Sequence, residues 1–221
     1  IPGEIALRNM GIQEIPVTNV ENACASASTA LDMAATWLEA GRGGVAIAVG
    51  AEKMFHEDRA KMFSVFDGGW DVHDVAAATD RLLAMGQGVA DPDGEEDTGQ
   101  RSVFMDVYAA LAKFHMKSFG TTQAQLAAVA AKNHAHSAHN PLSQYREAMT
   151  VDEVMAARKV SWPLTLPMCS PISDGAAAAI LCREEELDRF DRSRAVKIHA
   201  TALRTGSDRD PQEFDRHITH L

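Results

Sequence analysis

Hydrophobic and polar positions along the chain predict alternating strands and helices. Residues 15–20 form a β-rich run that predicts a strand of the buried type. Small and apolar residues then spread around most of a helix at residues 25–40, a pattern typical of a helix packed between other layers. Residues 45–50 are continuously apolar, as in a strand buried on both faces of a parallel sheet. Together they predict one right-handed βαβ unit.

The same reading extends to most of the remaining chain. Further helices are predicted at residues 4–10, 103–119, 123–137, 151–157, 184–190 and, as a beginning only, 211–220. A second buried strand is predicted at residues 175–182, and period-two alternation predicts another at 195–203. Residues 53–100 show no clear period and include an acidic turn at 91–97. Its spacing does not match a calcium loop, so a solvated loop is favoured.

One cysteine stands where the first predicted strand leads into the first long helix. Cys24 lies in or just before the first helical turn. Free backbone N–H groups and the helix dipole favour a negative charge there. A thiol ionises more readily at such a position, and the thiolate is the nucleophile. From the pattern alone, Cys24 is either a nucleophile or a buried structural cysteine.

Composition narrows the class of protein. Hydrophobic residues make up 46% of the 221, enough for a sizeable core, and the net charge is -10. That charge disfavours sequence-independent binding of nucleic acid, which needs a basic surface. Three widely spaced cysteines favour a reducing, cytoplasmic compartment over a disulfide framework. We expect neither a membrane span nor a signal peptide, and the first residues read as the interior of a larger protein.

Three histidines lie close together near the end of the helix predicted at residues 123–137. The spacing of His134, His136 and His139 does not place all three on one helical face. No carboxylate or cysteine lies between them. A polar helix end is therefore favoured, and no metal site is expected.

Three motifs resemble, in the same order, those of thiolases of the sterol-carrier-protein-X type, which are acetyl-CoA acetyltransferase-like. Residues 21–31, Glu-Asn-Ala-Cys-Ala-Ser-Ala-Ser-Thr-Ala-Leu, resemble the nucleophile motif. Lys-Asn-His at 132–134, with Asn-Pro-Leu-Ser-Gln-Tyr at 140–145, is similar to a segment typical of that group. Residues 169–181, Cys-Ser-Pro-Ile-Ser-Asp-Gly followed by four alanines, Ile and Leu, are similar to its Asn/Ser-Asp-Gly-Ala-Ala-Ala strand.

The resemblance implies an α/β fold of the thiolase type, with αβαβα layers, of which this chain carries mostly the N-terminal half. It implies an N-terminal core at residues 1–52 and 170–191 and an inserted loop domain at 53–169. Residues 192–221 would begin a C-terminal core. A homodimer or higher oligomer is also implied, with residues 15–20 pairing across the dimer.

The implied chemistry is cleavage or formation of 3-oxoacyl-CoA, in fatty acid or sterol degradation. Cys24 would attack the 3-oxo carbon and hold the acyl group as a thioester, and CoA would then accept it as co-substrate. No other cofactor is implied. Ser170 matches the position at which thiolases contact CoA, and a serine that caps the turn before Pro171 is the alternative. In a eukaryote the expected location is the peroxisome.

Two features depart from the family pattern. Ala27 stands where glycine is usual, and its methyl group would either narrow the space beside the nucleophile or fill core. The catalytic histidine motifs and the second catalytic cysteine are missing and are expected beyond Leu221, while Cys182 is interpreted as structural.

Two alternatives to a thiolase stay open. One is a thiolase-like aldolase or acyltransferase that works with a small OB-fold partner subunit. The other is an inert scaffold that binds acyl-CoA.

Overall fold

A computed structural model describes residues 2–92, 94 and 101–204, and the described chain divides into two compact units. The first unit contains the residues up to Lys53 together with Asp174–Arg204, and the second contains Met54–Ser173. Which of these is a thiolase core and which an inserted domain stays a prediction. The helix predicted at 211–220 and much of the acidic turn at 91–97 lie outside the described residues.

The described residues contain helices and strands in the following order. They are α1 (Pro2–Asn9), α2 (Ser26–Glu39), β1 (Val45–Glu52), α3 (Arg59–Ser64), α4 (Val75–Ala84), α5 (Val103–Phe119), α6 (Gln123–Ser137), α7 (Val151–Ala156), β2 (Lys159–Ser161), β3 (Leu164–Thr165) and β4 (Gly175–Cys182). Short 3₁₀ helices lie at Ala23–Ala25, Val65–Gly69, Leu166–Met168, Glu184–Arg189 and Arg192–Arg194. None of the described helices has the length and apolarity needed to cross a bilayer.

The first unit is a helix packed on a two-stranded antiparallel sheet. β1 pairs with β4 along its whole length, from Val45 opposite Cys182 to Glu52 opposite Gly175. α2 covers one face of this sheet, where Leu38, Ala48 and Leu181 are buried. Further apolar side chains of α2 and β1 pack around them: Ala30, Leu31, Ala34, Ala35, Trp37 and Ala46. The predicted bounds of α1, α2, β1 and β4 are thus confirmed to within about two residues.

The predicted βαβ unit is wrong. Residues 15–20 form no strand and pair with no strand of the described chain. β1 instead pairs with β4, in an antiparallel arrangement. Burial of β1 and β4 on both faces is also wrong. The face opposite α2 is open, with Ile47 54% and Ile180 63% exposed. These strands carry apolar residues on both faces, but in this unit only one face has a helix against it.

The predicted strand at residues 195–203 is also not observed. The chain is extended there but pairs with no described strand, and Val196 is 90% exposed. A strand needs a neighbour for its backbone N–H and C=O groups, which sequence alternation alone does not supply. The short helix predicted at 184–190 is present as the 3₁₀ helix Glu184–Arg189.

The second unit is mostly helical. Its helices α5, α6 and α7 follow the predicted bounds closely, whereas α3 and α4 lie within residues 53–100, where no helix was predicted. α5 ends at Gly120, whose φ of 70° is the left-handed conformation that favours glycine at a helix end. α6 and α7 each begin with a capping box, Thr122 with Gln125 and Thr150 with Glu153. Ala127 and Ala130 of α6 are buried against Val154 of α7. The first residue of α6, Gln123, donates from Nε2 to the Pro163 carbonyl in the hairpin of β2 and β3, and its later turns lie beside the 3₁₀ turn Leu166–Met168.

Candidate functional site

Cys24 lies in the middle of the 3₁₀ turn Ala23–Ala25, which leads directly into α2. The predicted position just before the first helical turn is therefore confirmed. Its side chain is free and exposed, which contradicts the alternative of a buried structural cysteine. The thiol is accessible to a reactant from solvent.

Short hydrogen bonds hold the backbone on the N-terminal side of Cys24. Ala23 has a φ of 45°, an unfavourable value for a residue with a Cβ. Its N–H donates to Glu21 Oε1 at 2.7 Å. The Ser26 hydroxyl accepts from the Asn22 N–H at 2.7 Å and donates to the Ala23 carbonyl at 2.8 Å. These bonds offset the cost of the turn that places Cys24 at the surface.

A further hydrogen bond joins this turn to a buried residue of α2 in the first unit. Asn22 Nδ2 donates to Thr29 Oγ1 at 2.9 Å, and Thr29 is buried in α2. Sequence reasoning identified the motif that contains these residues but not their mutual bonds. Alternation of small polar side chains ahead of a helix is the signal that points to such capping contacts.

The alanine at position 27 contacts the sheet. A Cβ added to Gly50 would lie 2.6 Å from Ala27 Cβ, closer than two carbon atoms can approach. The methyl group of Ala27 thus occupies the space above the bare backbone of Gly50. Ala27 remains exposed, so it does not fill core in the sense expected from the sequence.

Asp174 of the Ser-Asp-Gly motif forms an ion pair with Lys53 at the edge of the first unit. Lys53 Nζ lies 2.5 Å from Asp174 Oδ2, just beyond the paired ends of β1 and β4. The lysine side chain is 73% exposed, and an ion pair in such a setting contributes little to stability. This partner of the motif was not predicted.

An open groove of about 560 Å³ brings the second and third motifs together within the second unit. Its lining comes from α6, from the loop after Pro141 and from residues 166–173, which we call the rim segment. Lining residues include Asn133, His134, Ser143, Gln144, Tyr145, Cys169, Ser170 and Ser173. The two motifs lie apart in the sequence, and only the packing of α6 against the end of the hairpin makes them neighbours.

His134 contacts both sides of this groove. Its Nε2 lies 3.2 Å from the Pro167 carbonyl oxygen in the rim segment. Its ring stacks on Tyr145, with 6.4 Å between ring centroids and 28° between planes. On the rim segment itself, the Cys169 thiol donates to the Thr165 carbonyl at 3.5 Å. Burial raises the pKa of the Cys169 thiol, and the charge of Arg158 partly opposes that change.

Ser170 lies at the exposed edge of the groove, next to Pro171. The residues that line the groove include no Asp, Glu, Lys or Arg. Hydroxyl, amide and apolar groups, one imidazole and one thiol make up its walls, so it suits an uncharged and partly apolar ligand group. Cys24 belongs to the first unit and Ser170 to the second.

No group of three metal-ligating side chains occurs among the described residues. Of the three clustered histidines, His134 is half-buried and uses Nε2 toward Pro167, whereas His136 and His139 are exposed.

Comparison with known proteins identifies relatives over most of the chain. The sequence profile described as "Thiolase, N-terminal domain" matches residues 2–185. Acetyl-CoA acetyltransferase of Methanothermobacter thermautotrophicus is 36% identical over 89% of this chain and 45% of its own length. Sterol carrier protein 2 of Homo sapiens is 35% identical over 89% of this chain and 34% of its own length. The chain thus spans less than half the length of these relatives.

A solved structure shares the fold. The Ltp2-ChsH2(DUF35) aldolase superposes on 81% of this chain and 41% of its own chain, with a TM-score of 0.54 and 23% identity. At this level of identity the likeness concerns the fold alone. The predicted α/β, thiolase-like fold class is confirmed.

Proposed function

Because the chain belongs to the thiolase family, we propose that it is part of an acyl-CoA acyltransferase that cleaves or forms 3-oxoacyl-CoA through a thioester on Cys24. The observation that carries the proposal is the position of Cys24. This exposed cysteine lies in a hydrogen-bonded 3₁₀ turn directly before the N-terminus of α2. An enzyme of the acyltransferase kind agrees with the acetyltransferase relative. The thioester and the substrate are part of the proposal.

In the cleavage direction, the Cys24 thiolate adds to the 3-oxo carbon of the substrate. The bond between C2 and C3 then breaks, and its electron pair passes to the acyl-CoA leaving group, which takes up a proton. The acyl group stays on sulfur as a thioester. The CoA thiol attacks this thioester, and the Cys24 thiolate leaves. Condensation follows the same steps in reverse.

We propose that the groove of the second unit receives an uncharged part of CoA, with Ser170 as a hydrogen-bonding contact. Two features support this: the matching motif position of Ser170 and the lack of Asp, Glu, Lys and Arg along the lining. Ser170→Ala should raise the KM for CoA several-fold and leave kcat nearly unchanged, since Ser170 would bind and not react.

The test of the main proposal is thiolysis of acetoacetyl-CoA by the full-length protein, compared with Cys24→Ala. We expect activity to fall by about a thousandfold or more, because no other group replaces the nucleophile. Cys182→Ala is the matched control and should retain activity. Thiolytic activity that survives in Cys24→Ala would refute the role of Cys24.

A second candidate function is a thiolase-like aldolase, which the fold shared with the Ltp2-ChsH2(DUF35) aldolase favours. In that case the protein works with a small partner subunit, cleaves a carbon–carbon bond without an acyl-enzyme, and gains no acetyl mass from acetyl-CoA. Intact-mass spectrometry after incubation with acetyl-CoA separates the two. One added acetyl group, absent from Cys24→Ala, favours the acyltransferase. An unmodified protein favours the aldolase or an inert scaffold.

A further inference from the structure

We infer that His134 is a positioning residue, which fixes the rim segment and with it Ser170 beside the groove. The inference rests on the proposed function in one respect, the expected contact between Ser170 and CoA. It goes beyond that function by naming the side chain on which the contact depends.

The rim segment has little secondary structure of its own to fix its position. It contains Pro167 and Pro171, neither of which has an N–H to donate. Apart from one 3₁₀ turn, Leu166–Met168, it contains no helix and no strand. One backbone bond, from the Leu166 N–H to the Arg158 carbonyl at 2.9 Å, holds its first residue, and side-chain contacts hold the remainder beside α6.

His134 supplies such a contact from the rigid side of the groove. It lies on the last turns of α6, a helix whose buried Ala127 and Ala130 pack against α7. A carbonyl oxygen only accepts hydrogen bonds, so His134 Nε2 carries the proton and donates to Pro167. The bond joins the segment that carries Ser170 to a well-packed helix.

The same imidazole ring also holds the opposite wall. Tyr145 stacks on it and belongs to the loop after Pro141. A second link joins this loop to the rim segment, between the side chains of Gln144 and Ser173. The loop is thus joined to the groove by two contacts, whereas the bond from His134 to the Pro167 carbonyl acts on the rim segment itself. Loss of that bond should displace Ser170.

The experiment compares His134→Ala and His134→Gln in the full-length protein. Glutamine places an amide N–H near the position of Nε2 and can keep the bond to Pro167. His134→Ala should raise the KM for CoA about fivefold, the effect of one lost neutral hydrogen bond, with kcat within about twofold. His134→Gln should restore most of the loss. His136→Ala, an exposed histidine two residues further along α6, is the matched control and should behave as wild type.

A second readout does not depend on turnover. Cys169 lies in the rim segment, half-buried and bonded to the Thr165 carbonyl, so its alkylation by iodoacetamide reports how firmly that segment is held. Peptide mass mapping should show Cys169 labelled about fivefold faster in His134→Ala and near the wild-type rate in His134→Gln. Cys182, in the other unit, serves as the internal reference.

Several results would overturn the role of His134. They are a loss of kcat with unchanged KM, a glutamine variant as impaired as alanine, an equal effect of His136→Ala, or equal Cys169 labelling in all variants. If the wild type shows no thiolysis, the proposed function fails, and the labelling of Cys169 alone decides the positioning role.

Discussion

At the scale of single residues, the backbone of Ala23, next to Cys24, is held in a conformation that the alanine side chain disfavours. Ala23 has a positive φ, whereas its neighbour Ala25 has a φ of -96°. The bonds from Glu21 and Ser26 hold the strained residue in place. Sequence reasoning located Cys24 correctly because a helix start is a local feature. It could not foresee the positive φ, which an alanine gives no reason to expect.

Ala23→Gly is therefore expected to stabilise the protein. Glycine adopts positive φ without the clash of a Cβ, and the gain should be about 0.5–1 kcal/mol in the free energy of unfolding. Urea unfolding followed by circular dichroism measures it. Ala128→Gly makes the same chemical change at an exposed position in the interior of α6 and should lower the stability by about 1 kcal/mol. Equal losses in both variants would show that Ala23 is not strained.

At the scale of elements, the ends of α5, α6 and α7 were predictable, whereas the helices α3 and α4 and the partners of the strands were not. The capping boxes of α6 and α7 and the left-handed Gly120 depend on residues within one turn of each helix end. Strands depend on neighbours far away in the sequence. The β-rich run at residues 15–20 and the alternating segment at 195–203 therefore pair with no strand of the described chain. The groove was unpredictable for the same reason, since it needs the packing of α6 against the rim segment.

The start of α7 should respond to acid. Glu153 accepts from the Thr150 N–H at 2.7 Å, and this backbone bond, followed by the one from the Thr150 hydroxyl, lowers the pKa of Glu153. A lowered folded-state pKa means that the carboxylate stabilises the fold above its unfolded-state pKa. That stabilisation should disappear as the pH falls through the folded-state value.

The measurement is a series of thermal unfolding curves from neutral pH to below pH ~4 for wild type and Glu153→Gln. Glutamine can accept the same bonds without titrating, so the difference between the two proteins should shrink on acidification. Asp152→Asn, a neighbouring acid in the same first turn, is the control. A constant difference at every pH would contradict the capping role of the Glu153 charge.

At the scale of the whole molecule, one face of the sheet in the first unit leaves apolar side chains exposed. The sheet of the first unit presents Ile47, Val49 and Ile180 to solvent on the face opposite α2. Continuous apolar patches on a folded protein commonly mark surfaces that another layer covers. The two relatives named above are about twice as long as this chain or longer.

The 221-residue chain by itself should therefore bind a hydrophobic dye. The double variant Ile47→Ser with Ile180→Ser should reduce fluorescence of 1-anilinonaphthalene-8-sulfonate markedly and leave the melting temperature nearly unchanged, since both side chains are exposed. Ala48→Ser, on the buried face, is the control. It should cost about 1–3 kcal/mol of stability because it buries a hydroxyl group. Unchanged dye binding in the double variant would exclude this face as the dye site.

The contact between Ala27 and Gly50 restricts how this sequence could have evolved. Between α2 and β1 there is room for one methyl group, which the helix carries at residue 27 while the strand has none at residue 50. With glycine at residue 27, as is usual for the family, the strand could carry an alanine at residue 50. To reach that arrangement from this sequence, both residues must change. Ala27→Gly alone leaves a small void, and Gly50→Ala alone makes two methyl groups collide. Evolutionary passage between the two arrangements therefore runs through the variant with two glycines, because a small void is tolerated more readily than a clash of two carbon atoms.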